Sequence, residues 1–294
     1  MGSLEPITFS GPTLESLGLA DTAVQPSELE EGLSGKADLE DLDAKLSIED
    51  IGDSQDFIDG LTSQQWILPG CVLFYDFQNI INLFSNTAGT VQANLGDQVA
   101  FVSDQSPAHN DGVIPSATNR PIASRMGGNG AVQFDGSSDY IELPTFTLQD
   151  YTIVLFTRWN ANLSVDGVVL AHDSSPVTPI QSIFFSNNFI WSRTDGVWVG
   201  TPGAGLKPWE PQVTIIRREG AWTRYYRNLE LLREENVGSA PMVTSNFFLG
   251  IWENNGNKTL PAPISVAHLS VYSEAMSDAD RISFTENLLG SISI

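Results

Sequence analysis

The sequence predicts a mainly β protein, built as a two-sheet antiparallel sandwich behind a short helical or irregular N-terminal segment. From residue 66 onward, short runs rich in β-branched and aromatic residues recur between turn signals. In residues 131–143, two alternating runs flank an Asp-Gly-Ser-Ser-Asp turn, which predicts a hairpin with one buried and one solvated face. Many short strands without helices between them are typical of two packed sheets.

Residues 1–66 differ in composition from the rest of the chain. They carry 15 Asp and Glu against two Lys. The stripe Leu39, Leu42 and Leu46 predicts a short helix, but no such stripe lasts the three or four heptads of a stable coiled coil. A segment of this kind is disordered or is ordered by a partner, most simply by copies of itself. We therefore expect residues 1–66 to be an acidic anchor or trimerisation segment, and residues 67–294 to be the β domain.

The β domain follows as a series of short strands and one terminal helix. Ser277, three residues before Asp280, is an N-cap signal for a helix that runs to Leu288 and ends at Gly290. The predicted strands are 72–77, 99–102, 131–134, 140–143, 151–159, 168–171, 180–186, 189–194, 197–200, 213–218, 222–227, 247–252 and 264–272.

Composition excludes several classes of protein. The formal net charge is −22, which repels phosphate backbones and argues against a nucleic-acid partner. No apolar run approaches the roughly 20 residues of a membrane helix, and we do not expect the N-terminus to be a secretory signal, since it has no basic start and no apolar core. Cys71 is the only cysteine, so no internal disulfide forms.

The sequence also argues against catalysis. Glycosidases need two carboxylates about 5–10 Å apart. The nearest acidic pairs of the β domain are Glu234–Glu235 and Asp139–Glu142, at strand ends where a solvated turn is the simpler interpretation. The histidines and Cys71 stand in unrelated contexts and form no triad. We expect the protein not to be an enzyme.

A three-stranded ribbon is the main candidate for a binding surface. The turns 187–188 and 195–196 predict a register that pairs Phe184 with Trp191 and Arg193 with Trp198. This face can stack on sugar rings while its arginine donates to hydroxyls or carboxylates. It can equally be a subunit interface or a second layer of core, since Trp and Arg are enriched at interfaces. The residues of the face are Phe184, Phe189, Trp191, Arg193 and Trp198.

Six segments of the β domain stand in an order that resembles a known family. They are an opening strand at 70–77, a polar loop at 103–112, the Phe-Asp-Gly turn at 134–136, the long strand from 151, a strand–turn–strand unit at 213–232, and a closing strand with its helix at 264–280. Together they resemble the concanavalin A-like, laminin-G-like lectin domains over about residues 68–289. The resemblance implies a jelly-roll sandwich, and the fold hosts lectins, hydrolases and spacers alike.

The same resemblance implies a structural Ca²⁺, which is a hard cation held by loop oxygens. Ala267 and His268 stand where the family's closing strand often contributes an acidic pair, which weakens that implication. Free loop carboxylates are the alternative interpretation. The candidate ligands by loop position are Asp104, Asp111, Asp135 and Asp139.

Segments 17–26 and 33–39 resemble the shaft and collar regions of bacteriophage tail or head fibres. This resemblance implies a homotrimer that binds other virion proteins through residues 1–66, is assembled in the host cytoplasm, and presents its lectin-like domain to host-surface glycans. Two alternatives remain open. One is a purely structural decoration protein whose sandwich contacts neighbouring subunits, and the other is a free cell-surface lectin or carbohydrate-active enzyme.

Overall fold

A computed structural model of the chain describes the β domain and the terminal helix. The described residues are 67–114, 116–161, 167–171, 183–186, 189–194, 197–202, 207–239, 241–243, 247–254 and 257–291. The anchor predicted for residues 1–66 lies outside them. Among the described residues, no helix is both long and apolar enough to cross a membrane.

The larger sheet has eight strands in the order β16-β15-β14-β9-β21-β6-β5, and β1 also pairs with β21. Every described pairing within it is antiparallel. Its strands are β1 (Cys71–Asp76), β5 (Ile122–Met126), β6 (Asn129–Gln133), β9 (Tyr151–Trp159), β14 (Pro211–Glu219), β15 (Trp222–Arg227), β16 (Glu230–Asn236) and β21 (Ile264–Tyr272).

The second sheet has six strands in the order β13-β12-β11-β10-β18-β7. They are β7 (Ile141–Leu143), β10 (Gly167–Ala171), β11 (Ile183–Ser186), β12 (Phe189–Thr194), β13 (Val197–Pro202) and β18 (Phe247–Leu249). The remaining short strands are β2 (Leu83–Phe84), β3 (Phe101–Val102), β4 (Gly112–Val113), β8 (Thr147–Leu148), β17 (Met242–Val243), β19 (Trp252–Asn254) and β20 (Asn257–Thr259). Two 3-10 turns lie at Ile80–Asn82 and Ala117–Asn119.

The main core lies between the two sheets. It joins Leu155 and Leu269 of the larger sheet to Leu143 and Leu249 of the smaller one, all fully or almost fully buried. Strand β9 alternates between this core and the opposite face, because successive side chains of a strand point to opposite sides of the sheet. The predicted two-sheet antiparallel sandwich is therefore confirmed.

The face of the larger sheet that is turned away from this core, called here the outer face, is partly covered by helix α1 (Asp278–Gly290). Ser277 caps the helix by accepting a hydrogen bond from Asp280 N, as predicted. The Phe284 ring lies edge-on to the rings of His268 and Tyr272. The Arg281 guanidinium lies 4.1 Å above the Tyr226 ring. The helix thus buries one end of the outer face and gives the domain a second apolar cluster.

One sequence prediction about the fold is wrong. The runs at 131–134 and 140–143 do not form a hairpin, since β6 pairs with β5 and β21 while β7 pairs with β18 of the other sheet. The turn between them crosses from one layer of the sandwich to the other. Alternation of apolar and polar residues marks a strand with one buried face, but it does not say which strand lies beside it.

Candidate functional site

The predicted ribbon is present as strands β11, β12 and β13, which form one end of the six-stranded sheet. Its backbone register pairs Phe184 with Trp191 and Arg193 with Trp198, as predicted. Paired positions of an antiparallel ladder lie on the same face, and so do alternate positions of one strand. The register therefore assigns these four positions and that of Phe189 to one face of the ribbon.

The side chains of this ribbon and its two turns, at 187–188 and 195–196, lie outside the described residues. A glycan site and a subunit interface both require the five positions to share a face. The assignment of this face to either function remains a prediction.

The first pair of calcium candidates is part of the loop before β4. Asp104 is 2% exposed, and each of its carboxylate oxygens accepts two hydrogen bonds. Oδ1 accepts from Phe74 N at 2.7 Å and Ser106 N at 2.9 Å, and Oδ2 accepts from Ser106 Oγ at 2.6 Å and Asn110 N at 2.6 Å. Because a carboxylate has about four acceptor positions, the loop itself occupies them all. Asp111 is exposed and its Oδ1 accepts from Asp104 N at 2.8 Å.

The second pair closes the turn between β6 and β7. Asp135 Oδ1 accepts from Ser137 N at 2.7 Å and Ser138 N at 3.1 Å, while Asp139 Oδ2 accepts from Asp135 N at 2.9 Å. Burial raises the pKa of Asp139 to about 6. These carboxylates cap backbone N–H groups of a sharp turn, which is the ordinary use of aspartate in loops. No group of three His, Cys, Asp or Glu side chains arranged to hold a metal ion occurs among the described residues.

The acidic pair Glu234–Glu235 is engaged with cations on the edge strand β16. Glu234 forms an ion pair with Arg224. Glu235 lies 2.5 Å from Arg233 and accepts a hydrogen bond from the Tyr225 hydroxyl at 2.6 Å. As neighbours along a strand, the two glutamates point to opposite faces of the sheet, so they do not flank a common substrate position.

His268 is part of the apolar cluster beneath helix α1. It is 2% exposed, and its ring lies edge-on to those of Phe74 and Phe284. Its Nε2 and Ser270 Oγ lie 2.9 Å apart and share a hydrogen bond. Burial lowers the pKa of the imidazole from 6.5 to about 3, so the side chain is neutral at physiological pH.

Sequence reasoning missed a polar row on the outer face of the larger sheet. Ser265 on β21 pairs with Gln133 on one side and with Arg158 on the other. The polar row consists of Ser124, Gln133, Ser265, Arg158 and Asn160. The sequence marks only one part of the row, through the change at the end of β9 from an apolar run to Thr-Arg-Trp-Asn at 157–160.

No protein-family model matches the sequence, and no curated protein matches it. Among solved structures, the fold is similar to that of the binding domain of Paraclostridial Mosquitocidal Protein 1, with a TM-score of 0.51 and 9% identity. It is also similar to Trypanosoma rangeli sialidase in complex with sialic acid, with a TM-score of 0.53 and 12% identity. The alignments cover 74% and 75% of this chain, and they span 52% of the toxin domain and 33% of the sialidase. At these identities the similarity concerns the fold.

Proposed function

We propose that this protein is a non-catalytic adhesin of a bacteriophage particle, whose β-sandwich binds glycans of the host surface through the β11–β13 ribbon. Residues 1–66 form the anchor that attaches the protein to other virion proteins and joins three copies. Residues 67–294 form the domain that is presented outward. The fibre-like sequence segments at 17–26 and 33–39 support the anchor, and the lectin-type sandwich supports the binding role.

The observation that carries the glycan-binding role is the register of the ribbon. It brings Arg193 opposite Trp198 and places Trp191 two positions along the same strand. An indole face suits the C–H face of a pyranose ring, and a guanidinium beside it donates to hydroxyl or carboxylate oxygens.

A binding role without chemistry agrees with how the acidic side chains are used. The carboxylates of Glu234, Glu235 and Asp104 are bound to arginines, a tyrosine or backbone N–H groups. A glycosidase needs one carboxylic acid and one carboxylate facing each other across a substrate. These three groups instead stabilise loops and an edge strand.

Replacing Trp191 or Trp198 with alanine is expected to weaken glycan binding at least tenfold, because an aromatic residue central to an interface contributes about 1.4 kcal/mol or more. A glycan array followed by titration of the bound glycan measures the effect. Trp222→Ala is the matched control, since Trp222 is also a tryptophan on a strand, is exposed, and belongs to the other sheet. The glycan role is rejected if the wild-type protein binds no glycan, or if both ribbon variants bind as it does.

The anchor makes a separate prediction about mass. In solution the full chain is expected to have three times its mass of 31.9 kDa, and a fragment of residues 67–294 is expected to be monomeric. Light scattering coupled to size-exclusion chromatography measures both. A monomeric full-length chain contradicts the trimer. A trimer that dissociates in Trp191→Ala or Trp198→Ala assigns the ribbon to a subunit interface and favours the purely structural alternative.

A further inference from the structure

The polar row occupies the part of the outer face that lies beyond helix α1. The helix packs against Tyr272 and His268, in the second half of β21, whereas Ser265 stands near the start of that strand. Gln133 is exposed and Arg158 is half-buried, whereas Ser265 between them is fully buried, so the row is open to solvent on either side of Ser265. The sandwich therefore presents a second surface, on the other sheet from the ribbon.

Hydrogen bonds within the row fix its side chains in place. Arg158 Nε donates to Asn160 Oδ1 at 3.1 Å, and Asn160 Nδ2 donates to Ser265 Oγ at 2.8 Å. Ser124 Oγ donates to Gln133 Oε1 at 3.2 Å. Within the described part of the chain, the terminal nitrogens of Arg158 and the Nε2 of Gln133 keep their donors for solvent or a ligand. Side chains ordered before binding lose less conformational entropy when a ligand arrives.

The charge of Arg158 has no acidic partner among the described residues. The chain has a formal net charge of −22, so its acidic side chains greatly outnumber its basic ones. Five other arginines form ion pairs with Asp or Glu: Arg217, Arg224, Arg227, Arg233 and Arg281. A planar guanidinium matches a carboxylate through two parallel hydrogen bonds. A ligand that complements Arg158 is therefore anionic, and a carboxylate on a sugar ring supplies two oxygens that fit this geometry.

An exposed tryptophan stands at the β14 end of the row. Trp209 is 59% exposed and has φ of +66°, in the left-handed region that a bulky residue rarely adopts. Its backbone N–H donates to the carbonyl of Trp159 at 2.8 Å. Trp159 is the residue that follows Arg158 in the chain. Gln212 Nε2 donates to the carbonyls of Lys207 at 3.2 Å and Glu210 at 3.4 Å. These two bonds hold the backbone on either side of Trp209.

Trp209 thus combines a strained backbone conformation with an indole that contacts solvent. A left-handed conformation at a non-glycine residue persists where the surrounding structure enforces it, and such residues concentrate at functional sites. Here the backbone bond to Trp159 and the side chain of Gln212 enforce it, and the result is an indole held outward. An outward indole is a platform for the C–H face of a sugar ring.

We propose that the polar row and Trp209 form a second glycan-binding surface, which takes an oligosaccharide that carries a carboxylate. Trp209 stacks on one ring, Arg158 holds the carboxylate, and Gln133 donates to a hydroxyl further along. The row crosses the strands β9, β21, β6 and β5, and Trp209 lies two residues before β14, the next strand of the sheet. With neighbouring strands about 4.8 Å apart, the surface from Trp209 to Ser124 extends about 19 Å, which is room for several sugar rings. This surface adds to the proposed function and does not depend on the ribbon.

The test compares the full-length protein with a panel of carboxylated oligosaccharides, each paired with its neutral methyl ester. A tetramer of galacturonic acid and its fully methylated ester form the first pair. The wild-type protein is expected to bind at least one acid about tenfold or more tightly than its ester, because a charge-assisted pair with arginine is lost on esterification. Arg158→Gln is expected to bind acid and ester alike. Trp209→Ala is expected to weaken both about tenfold.

Three further variants separate this surface from other causes. Trp209→Gly removes the indole and relieves the left-handed strain, so it is expected to lose binding while its melting temperature stays within a few degrees of the wild-type value. The double change Trp191→Ala and Trp198→Ala is expected to retain the preference for acid over ester. Trp222→Ala is expected to bind as the wild type does.

The inference is overturned if the wild-type protein binds no acid of the panel, or binds every acid and its ester equally. It is also overturned if a folded Arg158→Gln keeps the preference. Loss of the preference in the ribbon double variant assigns the carboxylate to Arg193 and contradicts the second surface while supporting the first. If the ribbon variants bind the glycan array as the wild type does, and the preference for acid over ester persists, only the proposed ribbon site is contradicted.

Discussion

Replacing Asp104 with asparagine is expected to lower the free energy of unfolding by about 3–5 kcal/mol, although the two side chains have nearly the same shape. Each carboxylate oxygen of Asp104 accepts two hydrogen bonds in a site that is 2% exposed. In asparagine, one oxygen becomes an NH₂ group that faces two donors. The two remaining bonds also lose the charge that makes them strong.

Urea unfolding of the two proteins measures this effect as a lower midpoint at an unchanged slope. Asp111→Asn is the matched control, since Asp111 is in the same loop but is exposed and accepts one backbone bond, from Asp104 N. We expect this control to cost less than about 1 kcal/mol. Equal losses in the two variants would show that the loop is not held by the Asp104 carboxylate.

Much of the fold is predictable because most strands carry a clear local signal. Strands β9, β12, β15 and β21 have the bounds expected from their runs of β-branched and aromatic residues. Strand β16, with the sequence ELLREEN, was missed because an edge strand is bonded on one side and solvated on the other, so it tolerates charge at most positions. Its pairing with β15 is determined by the tight turn at Asn228, whose φ is +54°.

The partners of a strand are harder to predict than the strand itself. A two-residue connection, as at 187–188 and 195–196, can join only strands that pair with each other in an antiparallel hairpin. The predicted register of the ribbon was therefore correct. The turn at 135–139 is five residues long and Asp135 caps it internally, which leaves the chain free to cross to the other sheet. Length and internal capping of a turn thus decide whether two alternating runs become neighbours.

The polar row was beyond prediction because it is assembled across strands that are distant in sequence. Ser265 joins Gln133 and Arg158 only through the order β9-β21-β6, which no local pattern encodes. The left-handed backbone of Trp209 was equally unforeseen, because Lys-Pro-Trp-Glu has no glycine or asparagine to indicate it. Both features depend on tertiary contacts, here the Trp159 carbonyl and the Gln212 side chain.

Replacing His268 with phenylalanine is expected to make the protein less sensitive to acid. Burial lowers the pKa of this imidazole to about 3 in the folded state, whereas its ordinary value is 6.5. Between these two values the unfolded chain takes up a proton on this side chain and the folded chain does not, so stability falls as the pH falls from 6.5 towards 3. The loss approaches about 1.4 kcal/mol per pH unit. A phenylalanine at this position carries no proton in either state.

Two buried carboxylates act in the opposite direction. Burial raises the pKa of Asp76 and of Asp139 to about 6, so each stabilises the folded state at low pH, and this contribution is lost as the pH rises through 6. Both are present in the wild type and in His268→Phe. They cancel in the difference between the two proteins as long as the pKa of Asp76, which stands opposite His268 in the β1–β21 ladder, is the same in each. That difference in unfolding free energy is expected to shift by about 2–3 kcal/mol in favour of the variant between pH 8 and pH 4.5.

Urea unfolding at a series of pH values measures that shift, and the loss of the hydrogen bond to Ser270 enters as an offset that does not change with pH. His109→Gln is the control, because it removes an exposed histidine instead of the buried one. A stability difference that stays constant from pH 8 to pH 4.5 would mean that His268 takes up its proton within the fold. The charged imidazole, which lies between the rings of Phe74 and Phe284, would then have to be compensated by water that enters the apolar cluster or by Asp76, the residue opposite it in the β1–β21 ladder.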